Sequence, residues 1–295
     1  METIYAVKLG SSMYAGITSQ SMNLGAQLDK EPTDGSPYYT NVVLTGVDPR
    51  VSFATNQPTG LLSAVGVAGS AISTGGLVLY LWQYATSSAR SNTSNNKIIT
   101  INSGLIIPRT LQCQARQNVT FECEALLTSS DGTCPWAVTS GAVPSYTDGG
   151  KYGVRSVVLS GSASGANVNS FTLDFGVQTI GDYGVGDYCA KEQYIQQFDP
   201  RLTLNSSQAG WVSGDWDGEE VTATITLAKR SETAQFESGS DYVLTCHGVW
   251  TLDSMFNGSG NSPANSSATI TLTKSGSTMP IVFGAAASAP TPGDD

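Results

Sequence analysis

The sequence predicts an all-β protein with one or two short helices, arranged as two tandem β-sandwich or barrel domains from an internal duplication. Three observations predict this. Stretches of β-branched residues alternate with polar ones at period two, as in "VTATITLA" from Val221 to Ala228, and that period belongs to strands with one buried face. Clusters of Gly, Pro, Asn and Ser separate these stretches, which is turn chemistry. The tripeptide Asp-Pro-Arg, followed by alternating residues, stands twice, at Asp48-Pro49-Arg50 and at Asp199-Pro200-Arg201.

The elements follow along the chain. "TSQSMNLGAQ" (Thr18 to Gln27) reads as a strand, and a long polar loop follows from Asp29 to Asn41. "DPRVSFATNQPTGLLSAVG" reads as a strand leading into a short helix over Leu61 to Val65, which ends at Gly66. The segment Gly60 to Trp82 is apolar enough to raise a membrane span, but five glycines and several Ser and Thr break it. A span needs about 20 mainly apolar residues; a helix, a Gly-rich turn and a buried strand at Leu77 to Tyr84 fit better. "KIITINSGLIIPRTLQ" (Lys97 to Gln112) reads as two strands around Asn102-Ser103-Gly104. "SFTLDFGVQT" (Ser170 to Thr179) and "ATITLTK" (Ala268 to Lys274) alternate in the same way. Alternation with one wet face is the habit of antiparallel sheets closed into sandwiches or barrels.

The duplication rests on register. Asp48 and Asp199 lie 151 residues apart, and the same spacing sets Met22-Asn23-Leu24-Gly25-Ala26-Gln27 on Leu173-Asp174-Phe175-Gly176-Val177-Gln178. Gly25, Asp48, Pro49 and Arg50 thus match Gly176, Asp199, Pro200 and Arg201 without a gap. Further on, "VTFECEALLTSSD" (Val119 to Asp131) resembles "YVLTCHGVWTLDS" (Tyr242 to Ser254), which sets Cys123 on Cys246. That match makes the second copy much shorter at this point, with the deficit placed where the chain passes quickly from Trp211 to "EEVTATITLAKR". The expected organisation is a first domain at 1–147, a second at 151–283 and a flexible tail at 284–295. The linker lies around Val143 to Gly150, where Pro and paired Gly act as breakers.

Composition narrows the function. Of 295 residues, 40% are hydrophobic, enough for a packed core, and 13% are charged, about half of the roughly 25% usual in soluble proteins. A polar, poorly charged surface suits a protein that packs against copies of itself. With 14 Lys and Arg against 24 Asp and Glu the net charge is −10. That excludes a protein that grips nucleic-acid phosphates, which needs clustered cations; like charge lets nucleic acid pass without sticking. Met1 to Tyr5 carries neither a basic nor an apolar signal region, so no export is expected. Five cysteines at irregular spacing, with no C-x-x-C, read as reduced thiols rather than a zinc or redox site.

Candidate chemistry is sparse. The single histidine, His247, adjoins Cys246 in a strand, so the two side chains point to opposite faces and cannot form a catalytic pair. Asp215, Asp217 and Glu219 form the densest acidic cluster. Hard oxygen donors at that spacing suit calcium, but the EF-hand pattern is absent and a solvated turn is the plainer reading. Asp182 and Asp187 are a weak carboxylate pair for a glycoside hydrolase. No catalytic residue, metal or cofactor is assigned. Trp216 and Tyr188 could stack on sugar rings, so a carbohydrate-binding β-sandwich module is the alternative from another class.

The duplicated organisation resembles bacteriophage tail tube proteins of long-tailed phages. The resemblance is carried by "TSQSMNLGAQ" with its polar loop, by "DPRVSFATNQPTGLLSAVG", and by "LVLYLWQYA" followed by "NKIITINSGLIIPRTLQC". It covers about half of the chain. It implies a small β-barrel or sandwich flanked by a helix, assembling as rings that stack into a hollow tube. Some members carry two domains per chain, so that three chains make a pseudo-sixfold ring. It further implies contacts between stacked rings at Asp29 to Tyr39 and Tyr183 to Gln193, and no enzymatic activity. Its partners would be copies of itself, the tape measure, terminator and distal tail proteins, and passing DNA bound without specificity, with no membrane. The location would be the virion tail, after synthesis in the host cytoplasm. A distal tail ring or decoration protein is the nearest alternative.

Overall fold

Alternation becomes strand wherever the sequence shows it. The computed structural model describes residues 2–31, 39, 41–72, 76–83, 95–131, 134–146, 149–161, 167–207, 218–233, 236–237, 239, 241–257 and 265–285. Strands β1 (Glu2–Leu9), β2 (Ser12–Tyr14), β3 (Ile17–Asn23), β4 (Ala26–Glu31), β5 (Asn41–Val47) and β6 (Arg50–Thr55) precede the helix α1 (Pro58–Val65). Then come β7 (Ser70–Ile72), β8 (Leu77–Gln83), β9 (Asn96–Ile101), β10 (Gly104–Gln114), β11 (Thr120–Leu127) and β12 (Trp136–Gly141). The rest are β13 (Tyr152–Leu159), β14 (Val168–Asp174), β15 (Val177–Asp182), β16 (Glu192–Phe198), β17 (Arg201–Ser206), β18 (Glu220–Lys229), β19 (Tyr242–Asn257), β20 (Asn265–Leu272) and β21 (Ile281–Ala285). The protein is all-β with one helix among the described residues, as its sequence predicts.

The helix is short because its signals are close together. Pro58 opens it, where a missing N–H costs nothing. Gly66 closes it at φ 76° and donates its N–H to Leu62 O at 2.8 Å. Leu61, Leu62 and Val65 are buried. In β18 the alternation "VTATITLA" places Val221, Ala223, Ile225 and Leu227 inside, each at most 1% exposed.

The largest sheet runs β13-β18-β19-β20-β17-β14-β10-β11-β6-β3, with β21 on β19 and β7 on β10. A second sheet runs β12-β9-β8-β1-β2, and β4-β5 and β15-β16 are separate hairpins. The two halves of the chain are therefore joined through one sheet, where β14 lies against β10. One apolar cluster continues from Val51, Phe53 and Phe121 through Phe171 and Phe175 to Ile225, Trp250 and Ile270.

Pairing registers recur along the chain. β3 meets β6 at Ile17↔Thr55 with a bulge before Ser19; β14 meets β17 at Val168↔Ser206 with a bulge before Ser170. β4-β5 runs from Ala26↔Val47 to Glu31↔Asn41, with an irregularity after Gln27. β15-β16 runs from Val177↔Phe198 to Asp182↔Glu192, with one after Gln178. The displacement at every one of these positions is the one that separates Asp48 from Asp199. The bulge between Ile4 and Ala6 on β8 is matched by that between Val154 and Ser156 on β18. The single strand β19 covers the places of two, pairing β18 and β20 as β9 pairs β8 and β10 pairs β11.

Three details of the sequence reading change. The loop expected from Asp29 begins as strand, because β4 continues to Glu31 and pairs with β5. Phe175-Gly176 interrupts the run Ser170 to Thr179, so it forms β14 and β15 rather than one strand. Cys123 and Cys246 do not occupy matching places. Trp136 pairs Ile101 on β9 and Ile281 pairs Cys246 on β19, so Cys246 stands where Ile101 stands. The displacement at this point is therefore close to that between Asp48 and Asp199, and the large deficit that the cysteine match required is absent. Most of residues 32–40 and all of 286–295, and with them much of the polar loop and the tail, fall outside the described residues.

Candidate self-assembly surface

The junction between the halves is built from backbone first. β10 and β14 pair antiparallel from Thr110↔Asp174 to Gln114↔Ser170. Phe175 N–H donates to Arg109 O at 3.0 Å, and Ala115 N–H donates to Asn169 O at 2.6 Å. Phe175 is fully buried, its ring edge-on to Phe121 with centroids 6.0 Å apart. Arg109 sits at the bulge of β10, where the side chain is free to turn along the sheet. Its guanidinium pairs with Glu124 and donates to Val177 O at 3.1 Å. Arg50 reaches the other Glu124 oxygen at 3.5 Å.

The loop closing β15-β16 folds back over the first half. Tyr183 Oη donates to Asp48 Oδ1. Val47 N–H donates to Tyr188 O at 2.7 Å, and Ser129 N–H donates to Ala190 O at 2.9 Å. Cys189 and Ala190 are 2% exposed. Burial, then the hydrogen bond to the Asp48 carboxylate, push the Tyr183 hydroxyl up to about 12. Part of the stretch Tyr183 to Gln193 is thus engaged within the chain.

The eight residues at the two Asp-Pro-Arg corners play like parts. Asp48 N–H donates to Gly25 O at 3.3 Å and Asp199 N–H to Gly176 O at 3.1 Å. Asn23 Oδ1 accepts from Gly25 N–H, and Asp174 Oδ1 from Gly176 N–H, each at 2.9 Å. Both glycines have φ 58°, a left-handed conformation that other residues resist. Pro49 and Pro200 are buried and lend their carbonyls to Leu127 N–H and Leu272 N–H, each at 3.0 Å. The arginines differ: Arg50 reaches Glu124, whereas Arg201 folds onto Asp199 at 2.9 Å.

Away from this junction no described strand pairs with the matching edges. Among the described residues β3 pairs with β6 alone. Leu24, which stands where Phe175 stands in the second half, is 47% exposed. Beyond Trp250, β19 has β20 on one side and no described strand on the other. The two hairpins carry exposed apolar residues: Leu28, Val42, Val43 and Leu44 on β4-β5, and Ile180, Tyr194 and Ile195 on β15-β16.

The other candidate residues do not converge. Cys246 is fully buried, which pushes its thiol up to about 12. His247 Nε2 lies 3.8 Å from Glu220 Oε2, across the strand pair. Asp187 accepts Gly184 N–H at 2.5 Å and pairs with Lys191 at 3.1 Å, so it closes its own turn. Asp182 stands at the end of β15 and its carbonyl accepts Lys191 N–H at 2.8 Å. Asp215, Trp216 and Asp217 lie outside the described residues, and Glu219 is half-buried, its carbonyl accepting Trp250 N–H at 3.0 Å. No group of three His, Cys, Asp or Glu that could hold a metal occurs among the described residues. A cleft of about 370 Å³ is lined by Arg116, Arg155 and Arg230. Arg155 pairs there with Asp241, and Arg230 donates to Gln117 O. No helix among the described residues is long and apolar enough to cross a membrane. No family model matches the chain, and no curated protein matches it. The sequence reading missed the junction itself. The signal for it was the apolar pair Leu173 and Phe175 at the end of β14.

Proposed function

We propose that the chain is an internally duplicated virion structural protein, a tail tube subunit that polymerises as stacked rings around a lumen for DNA. The carrying observation is the recurrence of strand registers and bulges at one displacement, together with a junction that is filled inside the chain and has no described strand at either matching edge. A head-to-tail contact between unlike edges makes a ring when its rotation closes. Three chains of two units would give six quasi-equivalent places. The exposed apolar hairpins β4-β5 and β15-β16 are the parts suited to contacts between rings, and a net charge of −10 keeps DNA from adhering to the wall. Partners on this reading are copies of the chain and the other tail proteins. Electron microscopy of the purified chain over a concentration series tests it. Rings or tubes with a central hole, three chains per ring, are the expected outcome. A monodisperse monomer at every concentration overturns it and turns attention to sugar stacking at the exposed Tyr188.

A further inference from the structure

Resting on that reading of self-assembly, we infer that the contact between chains is a strand pairing in a defined register. β3 of one copy adds antiparallel to β19 of the next copy around Asp253 and Ser254, as β14 adds to β10 inside the chain. Three observations carry this.

The first is the geometry of the template. β10 from Gly104 to Thr110 and β19 from Gly248 to Ser254 have the same surroundings. Gly104 pairs Leu127 and Gly248 pairs Leu272. Each strand then bulges, at Arg109 and at Asp253, between matching pairs. β14 and β3 match in the same way through their partners β17 and β6. Both surfaces of the internal junction therefore exist a second time on the chain.

The second is that the second pair of surfaces is unoccupied by any described strand. An edge strand with free N–H and C=O groups is a template for another chain. Six strands of the same sheet stand between β19 and β3, so no described pairing brings the two edges of one copy together.

The third is burial. Phe175 is 0% exposed and Val177 2% at the filled junction, whereas Leu24 is 47% exposed and Ala26 is exposed at the matching places. In a protein this sparing of charge, an open apolar position beside an open edge marks a surface that a partner covers.

Transfer of the internal register gives residue-level pairs. Phe175 with Arg109 becomes Leu24 with Asp253. Asp174 opposite Thr110 becomes Asn23 opposite Ser254; β19 carries a second irregularity before Asn257 that β10 lacks, so the transferred register ends at Ser254. The occupant is a second copy of this chain, because only this chain is shown to carry the fitting strand.

Disulfide trapping tests the register. The background is Cys134→Ser, which removes the exposed thiol among the five. Asn23→Cys with Ser254→Cys places two thiols on directly opposed residues, about 4.5–5.5 Å apart and within disulfide reach. Ser21→Cys with Ser254→Cys is two residues off register, about 7–8 Å, beyond it. Thr110→Cys with Asp174→Cys is the intrachain control and removes the equivalent Gly cap. Oxidised assemblies of the first variant are expected to run as a ladder of dimers, trimers and larger species that a reductant collapses. The off-register variant is expected to give no ladder, and the control an intrachain bond. Rings or tubes that form by microscopy without a ladder, while the control closes, overturn the register and leave the assembly reading standing. Absence of any assembly by the unsubstituted chain overturns both.

Discussion

Leu24 and Phe175 hold matching places with opposite burial, and that contrast fixes what truncation of each does. Phe175 is 0% exposed and packs edge-on to Phe121. Phe175→Ala removes a full aromatic from the shared core, at a cost of about 3–5 kcal/mol to the folding of the chain. Leu24 is 47% exposed. Full burial of a leucine is worth about 1.5–3 kcal/mol, so roughly half of that is in place before assembly and about 1 kcal/mol remains to be gained. Leu24→Ala therefore costs the isolated chain about 1 kcal/mol and each interface about as much again, a roughly fivefold weaker association per contact. Urea titration followed by circular dichroism measures the first quantity in both variants. Sedimentation velocity over a concentration series measures the second. Leu24→Ala should keep its fold and assemble only at higher concentration. A Leu24→Ala chain as unstable as Phe175→Ala, or one that assembles at the original concentration, refutes the equivalence of the two edges.

Other perturbations follow from single contacts. Gly25→Ala and Gly176→Ala force a β-carbon into φ 58° and against the carbonyls of Asp48 and Asp199; each should lower the melting temperature, with a cost of about 1–3 kcal/mol, and a neutral effect at both would remove the corner from the fold's requirements. Thiol titration of the native chain should count one fast cysteine, Cys134, and all five after guanidinium is added. Alkali should weaken the fold over a defined window. Because burial and Asp48 raise the Tyr183 hydroxyl to about 12, its contribution is whole below the unfolded tyrosine value near 10 and is lost as pH rises through about 12. Tyr183→Phe should flatten the pH dependence of urea stability in that window, and an unchanged slope would show that the Asp48 contact does not form in solution.

What the sequence makes legible depends on how local the cause is. The helix is visible because Pro58 and Gly66 bracket four buried positions within one short segment. Strand β18 is visible because its partners bury every second residue. The corner at Asp48 is visible because Gly25, Pro49 and their counterparts answer to backbone geometry, which tolerates few substitutes. Partner choice is another matter, since period two says that a face is buried and not by which strand. Nothing local in "TLQCQ" (Thr110 to Gln114) names Ser170 to Asp174 as its neighbour. The same degeneracy explains the misplaced cysteines. Two apolar strands can be slid along each other with little loss of resemblance, and the chain has one residue fewer at His247-Gly248 than at Asn102-Ser103-Gly104. His247 accordingly covers both duties, its N–H donating to Pro280 O and its carbonyl accepting from Thr273, where Asn102 and Ser103 divide them.

On the proposed assembly the two junctions are not chemically equal. Inside the chain Arg109 ties the bulge to Glu124 and to the carbonyl of Val177. At the matching bulge stands Asp253, which accepts from Thr269 at 2.7 Å, and Thr269 holds the place of Glu124. An aspartate at this place has no proton to offer the carbonyl of an added strand. On the proposed assembly, the contact between copies is thus the weaker one. Asp253→Arg combined with Thr269→Glu transplants the internal clamp to the outer edge. Arg109 is 38% exposed, so the gain is that of a half-screened ion pair, about 1 kcal/mol, or a roughly fivefold lower concentration for assembly. Light scattering against concentration reads it directly. If the double variant assembles no more readily than the unsubstituted chain while its urea midpoint is unchanged, the outer edge of β19 does not meet a second copy at this bulge.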